Sequence, residues 1–294
     1  VTSSISNSKS RAQWVFIAQS GMAVLVLGFI YSSALSFLPA NKKGLNQWQE
    51  VDIHVQNYVF SKLPMRCVIV GSSMGNRLSP KELDPRDYNL SLGGGDALTG
   101  LEVILRSGKI PSCVLVEVNT TLLRDKDQEL LTGVFHPIGF TLKKILPILQ
   151  TSHQPIGVLA AAIKNKVDEE KPDTIATNFD ALLEGQLADE QKLRPKVKID
   201  RAVSDLKNLL DQLQAQGVKT FLFDMPRPEV LKNGANNQMV YQRIKSTMNP
   251  ETYPWLEIDS SGTYQTEDTM HLTTSSARKF TALFAAAVNK TLDH

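Results

Sequence analysis

Residues 65–71 read Met-Arg-Cys-Val-Ile-Val-Gly, an apolar run that stops abruptly at Gly71 and is followed by Ser72 and Ser73. A short apolar, β-branched run broken by glycine is the pattern of a strand buried on both faces, as in a parallel sheet. Parallel neighbours need long, usually helical crossovers, so this stretch commits the chain to α/β architecture. Open sheets of that kind gather their chemistry at the carboxyl ends of the strands. Similar runs recur downstream. Residues 88–92 (YNLSL) end in Gly93-Gly94-Gly95, residues 112–119 (SCVLVEVN) end in Asn119, and residues 218–223 (VKTFLF) exit through Asp224. A fifth short strand is expected at 255–259 (WLEID).

Helical signals fill the gaps. Asp96 is placed to cap a helix that Gly108 closes, with Leu98, Leu101, Ile104 and Leu105 on one face. Val203, Leu206, Leu210 and Leu213 mark a second helix over 199–215, a third is expected over 229–247, and a last one over 274–291 buries Ala277, Phe280, Phe284, Ala287 and Val288. Residues 120–200 break the βα rhythm. They contain helical spacing, Pro147 and Pro155, and an acidic linker at 168–176, and read as a helical insertion serving as a lid, a docking face or a membrane-resting surface.

The amino-terminal region is of another kind. Residues 1–13 form a polar tail with Lys9 and Arg11, and residues 14–38 carry no charge. As a helix those 25 residues would extend about 37 Å, enough to cross a bilayer core. The basic flank favours an inside amino terminus and an extracytoplasmic domain. An uncleaved anchor is expected, with a cleaved signal peptide as the alternative. Residues 39–63 then read as a stalk or amphipathic helix, and residues 64–294 as the catalytic domain.

Composition removes several function classes. At 42% hydrophobic, 21% charged and net charge +2, nothing points to a nucleic-acid partner. There is no phosphate-binding glycine loop and no closely spaced Cys/His cluster, so no cofactor and no metal are expected. Cys67 and Cys113 start adjacent strands; two buried thiols are expected, with a disulfide as the alternative in an exported domain.

What remains is serine chemistry, which needs a base, a group to orient it and oxyanion donors. Ser73 is the candidate nucleophile, His271 the base, and Asp268, three residues earlier, the orienting carboxylate. The Ser73 backbone N–H, a glycine N–H from 93–95 and the Asn119 side-chain amide are the candidate oxyanion donors. His54, His136 and His153 read as packing or surface residues.

In this order the residues resemble the SGNH (GDSL-type) hydrolases, whose four blocks carry Ser, Gly, Asn and His. The blocks fall at Gly71-Ser72-Ser73, at 89–94, at Val116-Glu117-Val118-Asn119 and at Asp268-Thr269-Met270-His271. The match favours Gly94 as the oxyanion glycine, though Gly93 or Gly95 could serve. Ser72 stands where the family usually has Asp, Glu117 where it has Gly, and Thr120 where it has Asp. The resemblance implies a flavodoxin-like three-layer αβα domain and serine-dependent ester hydrolysis or acyl transfer. The anchor and insertion are similar to the branch that acts on O-acyl groups of cell-envelope polysaccharides beside a membrane-bound acyl-donor protein. The competing class is a non-catalytic binding or assembly protein on the same fold.

Overall fold

The computed structural model describes residues 4–35, 46–154, 158, 172–259 and 262–292. Residues 1–3 of the polar tail, residues 36–45 and residues 168–171 of the acidic linker lie outside them.

Four strands pair in parallel: β1 (Cys67–Val70), β2 (Tyr88–Asn89), β3 (Cys113–Glu117) and β4 (Lys219–Phe223), in the order β2-β1-β3-β4. This is the start of a flavodoxin-like sheet. Alternation along the strands sorts their side chains onto two faces. Val68, Val70, Val114, Val116 and Leu222 point toward one core, which also holds residues of α2 (Gln47–Phe60), α3 (Ala97–Ser107) and α7 (Lys196–Gln214). Ile69, Leu115, Phe221 and Phe223 face the other, against Phe280 and Phe284 of α10 (Thr274–Leu292). Each fully buried phenylalanine contributes about 1.5–3 kcal/mol. The expected α/β three-layer domain is therefore formed, with Asp96 accepting from Thr99 N–H as the α3 cap and Gly108 left-handed at its end.

Several sequence expectations need correcting. Beyond Asn89 the edge strand loses regular form, although Leu90 and Leu92 still donate to the carbonyls of Ile69 and Gly71. The fifth strand shrinks to one bridge, Trp255 to Leu222. Both backbone bonds there use Leu222, after which Trp255 packs on Tyr241 and Leu256 enters the core. The 229–247 helix divides into α8 (Glu229–Lys232) and α9 (Ala235–Thr247), because the backbone leaves helical geometry at Asn233 and Gly234, the latter at ψ 147 as the cap of α9.

The stretch read as a stalk or helix contains α2, and α2 is part of the domain. Ile53, Val55, Tyr58 and Val59 are buried. A buried polar knot holds it to the insertion: Thr151 Oγ1 and Gln56 Nε2 donate to Asp52, and Thr151 N–H donates to Gln56. His54 is indeed a packing residue, stacked on Tyr88. Within the insertion lie α4 (Gln128–Phe135), α5 (Pro137–Ile145) and α6 (Phe179–Gln191). The helix α1 (Ser4–Leu35) contains a 21-residue span, Arg11–Tyr31, long and apolar enough to cross a membrane.

The expected free thiols are a disulfide. Cys67 and Cys113 are paired directly across β1 and β3, with Cα atoms 4.5 Å apart and both side chains on the same sheet face. Neighbouring parallel strands rarely offer disulfide geometry, but the equal register here sets the two cysteines directly opposite each other, within the Cα range a disulfide spans. Denatured, unreduced protein should show no titratable thiol. The Cys67→Ala/Cys113→Ala double variant should lose about 2–4 kcal/mol in denaturant unfolding.

Candidate active site

Ser73 lies in the turn that follows β1, half-buried, whereas its neighbour Ser72 is fully buried. The loop before α10 carries the other two candidates. His271 Nδ1 is 2.7 Å from Asp268 Oδ2, and His271 Nε2 is 2.8 Å from Ser73 Oγ. An ionised carboxylate only accepts, so Nδ1 must carry the proton. That leaves the Nε2 lone pair to accept from the Ser73 hydroxyl. The sequence places these groups 198 positions apart, and the fold joins them.

The loop is built to hold this geometry. Asp268 Oδ1 also accepts the backbone N–H groups of Met270 and His271, at 3.2 and 2.9 Å. Burial pushes the Asp268 carboxyl up, but the backbone and ring N–H groups of His271 more than offset it and hold it below the usual carboxylate range. The tight reversal puts Thr269 at φ 74, a conformation that is uncommon for a β-branched residue and often found at functional sites. Outside the loop, Arg77 pairs with Glu267 at 2.9 Å, and Ala176 N–H donates to the Glu267 carbonyl. Asp173 accepts from the backbone and hydroxyl of Ser275. The insertion thus braces the histidine loop, a role that nothing in its sequence marks.

The glycine block forms a turn in which Gly95 N–H donates to the Leu92 carbonyl and Gly94 has φ 77. Gly95 has spent its N–H in that bond, which leaves Gly93 and Gly94 as glycine candidates. Arg124 Nη1 secures the turn through the carbonyls of Gly94 and Gly95, at 3.0 and 2.9 Å. The turn borders an open cleft of about 560 Å³ lined also by Gln47, Trp48, Arg124 and Asp127.

Asn119 lies two residues beyond β3. Its side chain is fully buried; Nδ2 donates to Glu117 Oε1 at 2.6 Å, and Oδ1 accepts from Thr121 N–H at 2.7 Å. One amide N–H is thus spent on Glu117 and the side chain is buried, so its expected part as an oxyanion donor falls to the second amide N–H. The reason is Glu117, the residue that departs from the family pattern. Its carboxylate receives Ser72 N–H at 2.7 Å, Ser72 Oγ–H at 3.0 Å, Gly75 N–H at 3.1 Å and the Asn119 amide. Gly71 and Gly75 are required for this approach, since a Cβ at either would lie 2.3 or 2.7 Å from Glu117 Oε2. Burial pushes the Glu117 carboxyl up; the donors from Ser72 and Asn119 pull it back only in part, and nearby Asp224 adds to the rise. Asp224 is itself raised by burial, against the pull of Arg227.

No family model and no curated protein matches the sequence. Among solved structures, the chain is similar to the crystal structure of a Bacteroides fragilis protein to which acylhydrolase activity has been ascribed. Sequence identity is 14% and the TM-score 0.41, over 84% of this chain and 99% of that one.

The Glu117 cluster makes a polarity prediction. In Glu117→Gln the amide oxygen can still accept from Ser72 and Gly75, but the new NH₂ faces the NH₂ of Asn119. That clash should cost about 1–3 kcal/mol and reduce turnover through the Ser73 turn. Adding Asn119→Asp turns the second partner into an acceptor. The double variant should therefore be more stable and more active than either single one, as read from urea unfolding and ester turnover.

Proposed function

We propose that the protein is a serine-dependent acyl-ester enzyme. The observation that carries this reading is the continuous relay Ser73–His271–Asp268, with hydrogen bonds of 2.8 and 2.7 Å. Ser73 Oγ attacks the ester carbonyl while His271 Nε2 takes its proton, and Asp268 holds the imidazole and offsets its charge. His271 then returns the proton to the leaving alcohol. The resulting Ser73 acyl-enzyme is discharged by an acceptor O–H that His271 deprotonates in turn. The Ser73 backbone N–H and a glycine N–H from Gly93 or Gly94 serve as oxyanion donors.

Water as acceptor makes the protein an esterase, and a sugar hydroxyl makes it an O-acyltransferase. The resemblance to the membrane-anchored SGNH branch favours O-acyl groups of an exported polysaccharide. The cleft beside the glycine turn, lined by Trp48, Gln47, Arg124 and Asp127 and not by Ser73 or His271, would take an outlying part of such a polymer. An extracytoplasmic site on an N-terminal anchor accords with the basic flank at Lys9 and Arg11 and with the Cys67–Cys113 bond, since disulfides persist in oxidising compartments.

A fluorophosphonate probe should label the wild type at Ser73 and leave Ser73→Ala unlabelled. Absence of label on the wild type would sink the enzyme reading in favour of a binding protein. Asp268→Asn should slow acetyl release from p-nitrophenyl acetate by about 10²–10⁴-fold. An oligosaccharide that captures the acetyl group would identify a transferase, and release to water alone an esterase.

A further inference from the structure

The segment 136–149 reads HPIGFTLKKILPIL and contains no acidic residue. Its helix α5 carries Ile138, Leu142 and Ile145 at spacings of four and three, so they share one side. Leu146 and Leu149 continue beyond the helix. All five are exposed, Ile138 and Ile145 to 69% and 67%. The opposite side of α5 is anchored, because Phe140 packs on Phe60 and Phe135. The apolar row thus faces outward, while Lys143 and Lys144 flank Phe140 on the polar side of the helix, Lys143 in a cleft it shares with Glu129.

The position of this row matters as much as its composition. Tyr31, the last residue of the apolar span in α1, donates its hydroxyl to the carbonyl of His153 at 2.7 Å. The span therefore ends against the turn that follows α5. If α1 crosses a bilayer, residues touching its end lie at the bilayer surface. Trp48, half-exposed and lining a shallow cleft with Lys143, adds an aromatic ring of the type enriched at that depth.

We propose that α5 and the turn after it form a membrane-resting face, the apolar row entering the lipid interface beside α1 while Lys143 and Lys144 meet anionic headgroups. An amphipathic helix of this kind buries its apolar side by about 5–10 Å at the headgroup boundary. Acidic lipid then strengthens the contact through the lysines. The abutting end of α1 selects lipid over a second copy of the chain as the occupant. The inference rests on the reading of α1 as a membrane anchor.

The test uses the full chain in phosphatidylcholine vesicles, with and without phosphatidylglycerol. The native cysteines are disulfide-bonded and buried, so Ile138→Cys can be labelled alone with an environment-sensitive fluorophore. Val24→Cys within α1 reports on the anchor. Ile138 should show blue-shifted emission, quenched more by a nitroxide near the headgroup than by one at the chain end. Quenching should be stronger with phosphatidylglycerol and fall to the zwitterionic level in Lys143→Glu/Lys144→Glu. Deep quenching at Val24 with unquenched, water-like emission at Ile138 would overturn the proposal and leave the anchor standing. Loss of quenching at both positions would remove the anchor and the proposal together. A blue shift that grows with protein density and ignores nitroxide would assign the face to self-association instead.

Discussion

The carboxylate of Glu117 is the interaction on which the rest of the site depends. It stands at the end of β3 and gathers the Ser72 and Gly75 backbone N–H groups of the turn that follows β1. Those donors would otherwise be buried without partners, at about 1–3 kcal/mol each. The turn they belong to holds Ser73 toward His271, so the direction of the Ser73 hydroxyl is set from the neighbouring strand. Burial nevertheless raises the Glu117 carboxyl above its usual range. A carboxyl with a raised folded-state pKa contributes stability that is present below its unfolded value and lost as pH rises through the folded one. The chain thus keeps a group that opposes folding near neutral pH, and what it obtains is a fixed geometry at the carboxyl edge of the sheet.

Much of this architecture was legible in the residues. Short β-branched runs located the strands, since a strand buried on both faces leaves a continuous apolar signature. The DxxH spacing at Asp268 and His271 put the two groups of the relay on one loop. The direction of the Asn119 amide is not legible in the sequence, for a physical reason. A motif position specifies a residue type, whereas the direction of its amide depends on the nearest charge, and that charge is Glu117. The substitution of Glu for Gly in the third block was visible as a departure. Its partners were not, because Ser72 and Gly75 lie 45 and 42 positions away. The disulfide escaped for a similar reason. It depends on β1 and β3 starting in equal register, a property of the paired strands that neither cysteine reveals.

The β1–β3 pair is consequently fastened at both ends. Cys67 and Cys113 close the amino end covalently, and Glu117 closes the carboxyl end through hydrogen bonds. With strands of four and five residues, few ladder bonds lie between these two ties. A slip of one position would separate the cysteines and carry Glu117 away from the turn, in addition to exchanging the two core faces. Register is therefore specified three times over, on the strand pair where a small displacement would most disturb Ser73.

The helix α2 links this edge to the rest of the molecule. One end meets the glycine turn, where a Cβ on Gly94 would lie 2.9 Å from Gln47 Nε2. Along its length, Asp52 and Gln56 bind Thr151 of the insertion, two residues before the His153 carbonyl that receives Tyr31. A continuous chain of contacts thus runs from the end of the apolar span, through the buried Asp52–Gln56–Thr151 knot, to the turn that borders the cleft. Buried polar knots are costly to leave half-satisfied, which favours their moving as a unit. The burial of α2 against the sheet thus ties the glycine turn and the insertion into one connected framework.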